Sequence, residues 1–451
     1  MRPFLATCLG AACTAALALP PGPALVRPAE AAAGSGAART GDLPGATQSL
    51  PLDGLGRRAA APHGPTVREV SSGTRRPFSL VGVVWDDAAT PLPGRAEVRT
   101  RARGSGRWSG WQNLATAGED APDPGAGEGR GGTARGSTAP LWVGASDAVQ
   151  LRLTLTPGTT PGPTGGVDAA SPATRAVGVL PHGLRLELVD PGPDTPALRG
   201  APPTGPEAVA SSAANAPLAP LGATEIPAAD ELAARADLAA VGGTDPAGPA
   251  HIGARPRIVT RAGWGADEML REARFAYTRT VRAAFVHHSG TGNNYTCAEA
   301  PSVIRAMYRF HVLSSHWRDI GYNFLIDRCG TVYEGRAGGV AKPVLGAHTL
   351  GFNNDSTGIA LLGTFEETAP PRAAVTALAR LTAWKLGLHG ADPLGRASMT
   401  STGGDRYPKG TVVRQRVISG HRDGVKTECP GALLYADLPA VRQTAARLQG
   451  R

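Results

Sequence analysis

The sequence predicts a small all-β, sandwich-like domain followed by an α/β domain whose central mixed sheet is flanked by helices. Two observations lead to this prediction. Short runs rich in Val, Leu and Trp, separated by Gly, Pro and Asp, occupy 77–190 and are typical of antiparallel strands. From 257 to 451, apolar strand-like runs alternate with longer segments of helical period. A chain of 451 residues has room for both domains.

Residues 1–33 have the layout of a secretory signal peptide. A basic start, MRPF, precedes the apolar run LATCLGAACTAALALPPGPALV and the small-residue segment AEAAA. Prolines between Pro20 and Pro23 interrupt the run, and no other stretch of the sequence approaches a membrane-spanning length. We therefore expect a secreted protein, with no stable membrane insertion after the signal is cleaved.

The formal net charge of +9 comes almost entirely from arginine. A basic secreted protein is drawn to anionic surfaces such as a bacterial cell wall, where we expect it to associate. Nucleic acid is the rival partner for such a charge. The arginines are scattered rather than clustered with aromatic residues, which argues against a nucleic-acid groove.

Three stretches outside the two domains differ from them in composition. Residues 34–76 are rich in Ala, Gly, Pro and Arg without a sustained period, which predicts a flexible leader. Residues 191–256 have a similar composition and are predicted to be a linker, with one short helix near 228–240. The Gly-rich stretch 118–140 within the β-domain is expected to be a mobile loop.

Four tryptophans of the β-domain allow two interpretations. They could stack on carbohydrate, or they could pack the core of a small β-domain, which is the more usual role of tryptophan. We expect core packing for all four, which are Trp85, Trp108, Trp111 and Trp142.

The helices and strands of 257–451 can be followed along the chain. RAAFVHHS is predicted to be a buried strand, and the capping-box spacing of Thr296 and Glu299 predicts a helix that follows. YNFLID and TVYEGR are predicted to form a hairpin, and TGIALLG another central strand. RAAVTALARLTAWKLGL and the closing segment from Leu438 to Leu448 have helical periods.

The stretch VISGHRDGVKTECPG contains the first candidate ligands of a metal. His421 and Cys429 lie eight positions apart, and imidazole and thiolate both suit a borderline-soft dication such as zinc. The alternative is a buried histidine and a buried cysteine without a shared task. A third ligand could come from His287 or His288 at the end of a strand. Only one of the two is expected to reach the metal, because successive side chains of a strand point to opposite faces of the sheet.

Cysteine usage is consistent with one metal thiolate. Cys8 and Cys13 lie in the predicted signal peptide, which leaves Cys297, Cys329 and Cys429. In an oxidising compartment, an odd count leaves one cysteine reduced, metal-bound or paired with another chain. The count fits one disulfide and one metal ligand.

Four motifs in order resemble the peptidoglycan recognition protein family, which overlaps the type 2 zinc N-acetylmuramoyl-L-alanine amidases. They are FVHHS, WRDIGYNFLIDRCGTVYEGR, GAHTLGFNNDSTGIALLG and SGHRD...TECPG. The resemblance covers about 257–451. It implies a Zn²⁺ cofactor held by His287, His421 and Cys429, and bacterial peptidoglycan as the partner.

The resemblance also implies catalytic roles for Tyr322 and Thr427. Tyr322 falls where amidases of the family have a tyrosine beside the metal, and as a phenol it could donate to a developing oxyanion. Thr427 stands where phage relatives have a lysine, and a hydroxyl could add a second donor but not a lysine-like charge. Packing in the core is the alternative for Tyr322.

Two further pairs are implied by the same resemblance. His348 and Asn353 lie in a Gly-rich loop that lines the substrate groove in the family, although a turn-stabilising role fits them as well. Cys297 and Cys329 match the positions of a disulfide in bacterial relatives.

Two functions follow as expectations. The first is a secreted zinc amidase that hydrolyses the bond between N-acetylmuramic acid and L-alanine in peptidoglycan. The second is a non-catalytic peptidoglycan-binding protein, since many members of the family bind without cutting. The thiolate ligand separates them, because members that only bind commonly lose it, and Cys429 is present.

Overall fold

The computed structural model describes residues 45–52, 56–57, 66–115, 120–128, 134–155, 157–158, 176–177, 180–193, 203–242 and 251–451. The predicted signal peptide lies outside these residues. Among the residues described, none of the helices is both long and apolar enough to cross a membrane.

The first part of the described chain is all-β, as predicted. Its strands are β1 Ala46–Pro51, β2 Gly56–Arg57, β3 Thr66–Ser72, β4 Phe78–Trp85, β5 Gly94–Ala102, β6 Gln112–Leu114, β7 Gly136–Ser137, β8 Leu141–Leu155, β9 Pro157–Gly158, β10 Ala176–Val177 and β11 Arg185–Asp190. Nine of them form one sheet with the order β1-β11-β4-β8-β3-β2, to which β5, β6 and β7 attach. The fifteen-residue β8 pairs antiparallel with β3, β4 and β5, so this strand organises the domain.

The leader predicted for 34–76 differs from the structure where strands are described. β1 pairs antiparallel with β11, from Ala46 opposite Asp190 to Pro51 opposite Arg185. β3 pairs with β8 over seven residues. The composition of 34–76 indicates a low local propensity to form strands. These strands are instead stabilised by pairing with strands far along the sequence.

The tryptophans divide between the core and the surface. Trp85 and Trp142 are buried, as expected, and the Trp85 indole donates to the Thr90 carbonyl oxygen at 2.7 Å. Trp108 is instead 39% exposed, so the core expectation is wrong for it. The guanidinium of Arg99 lies 5.5 Å from the Trp108 ring, and this cation–π contact accommodates an aromatic side chain outside the core.

The second part is an α/β domain with a mixed sheet, which confirms the predicted fold class. Its helices are α1 Pro206–Ala214, α2 Glu231–Arg235, α3 Arg261–Trp264, α4 Ala300–Arg309, α5 Arg372–Gly387 and α6 Ala432–Leu448. Its strands are β12 Glu225–Ile226, β13 Ile258–Val259, β14 Ala283–His288, β15 Phe324–Ile326, β16 Val332–Glu334, β17 Ser356–Leu361, β18 Arg396–Thr400, β19 Val412–Arg416 and β20 Ile418–Gly420.

Seven of these strands form the central sheet in the order β12-β13-β16-β15-β17-β14-β20. β14 is parallel to both β17 and β20, whereas β15 and β16 form the predicted antiparallel hairpin. Apolar residues of α5 and α6 pack with this sheet in one core, among them Leu381, Trp384 and Leu438.

The predicted linker, 191–256, is folded where 203–242 is described. β12 extends the central sheet, and the helix expected near 228–240 is split into α2 and a 3₁₀ helix, Ala236–Val241. Asp237 is buried, with an ion pair of 2.5 Å to Arg255 and a hydrogen bond of 2.9 Å from the Trp384 indole. The composition of 191–256 does not predict these contacts, because Asp237 makes them with residues that are distant in the sequence.

The two parts share an apolar core, and both belong to one compact unit, Leu43–Arg451. Leu80 and Val84 on β4 pack in one cluster with Met307 of α4 and with Phe310, which begins the π-helical turn Phe310–Ser314. Gly82 lies between them on β4. A Cβ atom added there would be 2.5 Å from a carbon of the Phe310 ring, so glycine permits this close approach.

Gly82→Ala is expected to lower the free energy of unfolding by about 1–3 kcal/mol, because the added methyl group overpacks the Phe310 ring. Chemical denaturation measures the change. Gly73→Ala is the control, since no heavy atom lies within 4 Å of its added Cβ. Adding Phe310→Leu to Gly82→Ala should recover part of the loss. Equal stabilities for the two alanine variants would contradict the packing argument.

Candidate metal centre

The ends of two parallel strands bring the first two candidate ligands together. β14 and β20 run side by side, with Val286 opposite Gly420. His287 follows Val286 on β14, and His421 begins the 3₁₀ turn that follows β20. Because the carboxyl ends of parallel strands meet at the same edge of a sheet, the two imidazoles lie side by side, with ring centroids 4.3 Å apart.

Cys429 completes a cluster of three buried candidate ligands. One donor atom from each of His287, His421 and Cys429 lies within 4.8 Å of the others. The Cys429 Sγ is 3.8 Å from the His287 Nδ1 and accepts a hydrogen bond from the backbone N–H of His288 at 3.4 Å. Neighbouring nitrogen and sulfur ligands of a tetrahedral zinc lie about 3.6 Å apart, given the usual bond lengths. The donor set therefore fits zinc.

His287, rather than His288, faces this cluster. The Nε2 of His287 lies 3.3 Å from the His348 Nδ1 and 3.4 Å from the Thr349 hydroxyl, which leaves its Nδ1 directed at Cys429. Burial lowers the pKa of His287 to about 3, so its imidazole is neutral at pH 7, as a metal ligand must be.

His348 lies behind the candidate ligands and contacts one of them, His287. Its ring is fully buried 5.2 Å from the His287 ring, and it occupies space that only glycine leaves open. A Cβ on Gly358 would be 2.3 Å from the ring, and one on Gly346 would be 2.5 Å from it. The Thr349 hydroxyl lies 2.9 Å from the His348 Nδ1. These contacts hold the outer face of His287, as outer-shell partners of metal ligands do.

Tyr322 lies beside His287, with ring centroids 5.3 Å apart. Its hydroxyl donates a hydrogen bond of 3.0 Å to the Asp120 Oδ2. Burial, followed by the negative charges of Asp120 and Cys429, raises the pKa of the Tyr322 phenol well above its ordinary value. The phenol therefore remains a hydrogen-bond donor at the metal centre.

Thr427 contacts the cysteine turn. Its hydroxyl accepts a hydrogen bond of 3.1 Å from the backbone N–H of Cys429. This contact orients the turn that presents the Cys429 sulfur.

Asn353 is buried and joins the Gly-rich loop to the β-domain. Its Oδ1 accepts from the backbone N–H groups of His348 and Thr349, at 2.7 and 3.0 Å. Its Nδ2 donates to the Ala121 carbonyl oxygen at 3.0 Å and to the Asp123 Oδ1 at 2.8 Å. A residue expected to line the groove thus lies under a segment of the β-domain.

The structure joins Cys297 and Cys329 in a disulfide, as the resemblance implied, with Cα atoms 6.1 Å apart. The bridge connects the start of the α4 region to the hairpin of β15 and β16. The expected capping box is present beside it, where Glu299 accepts from the Thr296 backbone N–H at 2.8 Å.

Asp120, in the β-domain, is the residue at this centre that the sequence did not reveal. Its Oδ1 lies 3.1 Å from the His287 Nδ1 and 3.5 Å from the His421 Nδ1. This oxygen is buried and has no hydrogen-bond partner among the described residues. Burial raises the pKa of the Asp120 carboxyl, against the lowering effects of His421 and the Tyr322 hydroxyl. Only the Gly- and Pro-rich surroundings mark its position in the sequence, and they predict a loop.

Two parts of the chain match known protein families. Residues 277–432 match a family described as N-acetylmuramoyl-L-alanine amidase. Residues 34–176 match one described as Rv3811 N-terminal galactose-binding domain-like. Peptidoglycan-recognition protein SC2 of Drosophila simulans is 30% identical over 183 residues, which are 40% of this chain and 84% of that protein.

A second relative and a solved structure give similar values. Peptidoglycan-recognition protein LB of Drosophila melanogaster is 29% identical over 186 residues, which are 41% of this chain and 68% of that protein. The structure of wild-type Drosophila PGRP-LB aligns at 28% identity over 41% of this chain and 92% of that one, with a TM-score of 0.33. On the strength of the sequence matches, the chain belongs to the peptidoglycan recognition protein family.

Cys429→Ser is expected to weaken zinc binding by about 100-fold or more, because the variant lacks a thiolate ligand, and loss of an outer-shell partner alone costs about 10- to 100-fold. Competition with a chromophoric chelator measures the affinity. His389→Gln is the control, since this histidine lies outside the ligand cluster. Retained zinc affinity in Cys429→Ser would exclude the thiolate as a ligand.

Proposed function

We propose that the chain is an exported zinc amidase that hydrolyses the amide bond between the lactyl group of N-acetylmuramic acid and the first L-alanine of the peptidoglycan stem peptide. The observation that carries the proposal is the buried cluster of His287, His421 and Cys429, with the Tyr322 ring beside His287. Membership of the family supports peptidoglycan as the partner. The thiolate favours an enzyme over a protein that only binds.

When bound, zinc supplies Lewis acidity that activates water at neutral pH and polarises a carbonyl group. The chain's own residues prepare this chemistry. Burial keeps His287 neutral, and His348 holds its outer nitrogen, so the ligand atom is directed inward. The protonated phenol of Tyr322 can donate a hydrogen bond to the oxyanion that develops on the scissile carbonyl. Thr427 contributes by orienting the turn that carries Cys429.

Export is part of the proposal. The predicted signal peptide, 1–33, lies outside the described residues, and the Cys297–Cys329 disulfide supports an oxidising compartment. The net charge of +9 favours association with an anionic wall.

A second candidate function is peptidoglycan binding without turnover. One observation favours it, namely the Asp120 carboxylate 3.1 Å from the His287 Nδ1. A fourth protein donor at a zinc site is typical of closed, structural sites, whereas catalytic sites keep one position open. Identification of the reaction product separates the two candidates.

The zinc-loaded protein is expected to release stem peptides with a free L-alanine amino terminus from purified peptidoglycan. Removal of the metal should abolish the release, and zinc, but not magnesium, should restore it, because imidazole and thiolate are poor magnesium ligands. Amino-terminal labelling with mass spectrometry identifies the product. Undiminished cleavage after complete metal removal would refute the mechanism.

Tyr322→Phe should lower kcat by about 100-fold or more while leaving zinc affinity unchanged, since it removes a donor to the oxyanion but no ligand. Tyr295→Phe is the matched control, because that buried tyrosine donates to the Leu362 carbonyl oxygen, outside the ligand cluster. An unchanged kcat in Tyr322→Phe would assign Tyr322 to packing alone.

A further inference from the structure

A nine-residue segment of the β-domain, 120–128, lies against the metal centre and the neighbouring Gly-rich loop. Its described side chains include three carboxylates, and each of them contacts the α/β domain. The contacts fall on the residues that the resemblance implies for catalysis and substrate binding, and on one arginine beside them. The three carboxylates belong to Asp120, Asp123 and Glu128.

Asp120 lies beside two of the three candidate ligands. Its Oδ1 lies 3.1 and 3.5 Å from the Nδ1 atoms of His287 and His421. Two nitrogen or oxygen ligands on neighbouring corners of a zinc tetrahedron lie about 3.3 Å apart, given bond lengths of about 2.0 Å. The same oxygen is buried without a hydrogen-bond partner among the described residues, so an ion between these groups would satisfy it.

The second oxygen of the Asp120 carboxylate is also engaged, by Tyr322. The Asp120 Oδ2 accepts the hydrogen bond from the Tyr322 hydroxyl. The donor proposed for the oxyanion therefore has another acceptor in this arrangement. A substrate carbonyl at the centre would compete with Asp120 both for the ion and for the phenol.

Asp123 and Glu128 fasten the segment at two further points. The Asp123 Oδ1 accepts from the Gly351 backbone N–H at 2.7 Å and from the Asn353 Nδ2 at 2.8 Å. The Glu128 Oε1 lies 2.8 Å from the Arg336 Nη1, and the two side chains are only 2% and 5% exposed. A buried, hydrogen-bonded pair of this kind is costly to break on one side only.

Residues of the β-domain outside 120–128 also contact the α/β domain, and these contacts support the position of the segment. The backbone N–H of Trp142 donates to the Thr291 carbonyl oxygen at 3.0 Å, and that of Arg135 donates to the Ser315 carbonyl oxygen at 3.0 Å. Gly290 lies so close to Ala139 that a Cβ on the glycine would be 2.8 Å from the alanine methyl group.

We propose that Asp120 is a fourth protein ligand of the zinc and that the segment 120–128 occupies the substrate groove, which keeps the enzyme latent until the segment withdraws. The ligand part stands on the buried Asp120 Oδ1 and its distances to the two candidate histidine ligands, and the latency part rests on the proposed amidase function. Four protein ligands leave no open position for substrate or water. Peptidoglycan binds only the fraction of molecules from which the segment is displaced, and its apparent affinity is reduced by that fraction.

The test compares the full-length wild type with Asp120→Asn, Asp123→Asn and a control, Asp147→Asn. Asp147 lies in β8 of the same domain and is ion-paired to Arg101 at 2.7 Å, so its variant also loses a carboxylate charge from an ion pair. Three quantities are measured for each protein: zinc affinity by chelator competition, the visible absorption spectrum of the Co²⁺ form, and the rate of peptidoglycan hydrolysis.

Asp120→Asn is expected to weaken zinc binding by about 10- to 100-fold, to change the Co²⁺ spectrum and to raise hydrolysis at least about tenfold. Asp123→Asn should raise hydrolysis because it loosens the segment, with a smaller effect on zinc affinity. The control should match the wild type in all three quantities. Thermal unfolding of the metal-free proteins reports whether each variant folds, and Asp120→Ser, which also lacks the carboxylate, replaces Asp120→Asn if that variant does not fold.

The outcomes separate this inference from the proposed function. Wild-type zinc affinity and spectrum in Asp120→Asn overturn the ligand assignment, even when all proteins cleave peptidoglycan. Loss of hydrolysis in Asp120→Asn with zinc affinity retained overturns latency and makes Asp120 a catalytic group. If zinc affinity and the Co²⁺ spectrum change only in Asp120→Asn, and none of the proteins cleaves peptidoglycan, the result supports Asp120 as the fourth ligand and refutes the amidase proposal.

Discussion

The parallel pairing of β14 with β20 is the constraint on which the rest of this site depends. It sets two histidines, separated widely along the chain, at the same edge of the sheet. The turn after β20 then returns Cys429 to the end of β14, where a backbone N–H donates to its sulfur. A one-residue shift in register would turn His287 to the opposite face and dismantle the cluster.

Burial explains why these groups suit a dication. The imidazole of His287 is kept neutral by desolvation, while a carboxylate and a cysteine sulfur lie within a few ångströms of it. Buried anions without compensation are costly, and a divalent cation would balance the charge of Asp120 and of a Cys429 thiolate together. Burial raises the pKa of the Asp120 carboxyl, whereas a dication beside it would favour the ionised form. Metal binding and docking of the β-domain segment are thus expected to reinforce one another.

Prediction from sequence succeeded where the signal was local and periodic. The β14 strand, the Thr296 capping box, the β15–β16 hairpin and the α5 helix all follow from short-range patterns, and the structure contains them. It failed where a weak local signal is overridden by distant partners. The prediction missed β1 and β12, which lie in stretches rich in Ala, Gly and Pro. Composition indicates only the local propensity for a strand, not whether another strand is available to pair with it.

By itself, the sequence predicted the types of the candidate ligands and the family to which the α/β domain belongs. Residue spacing left His287 and His288 open, and the resemblance implied His287; the tertiary structure supplies the physical reason, since His287 contacts His348 and faces the cluster. It alone placed Asp120 beside the ligands. A loop carboxylate that reaches a site formed by distant strands has no periodicity or spacing of its own, so only the docking of one domain on the other reveals it.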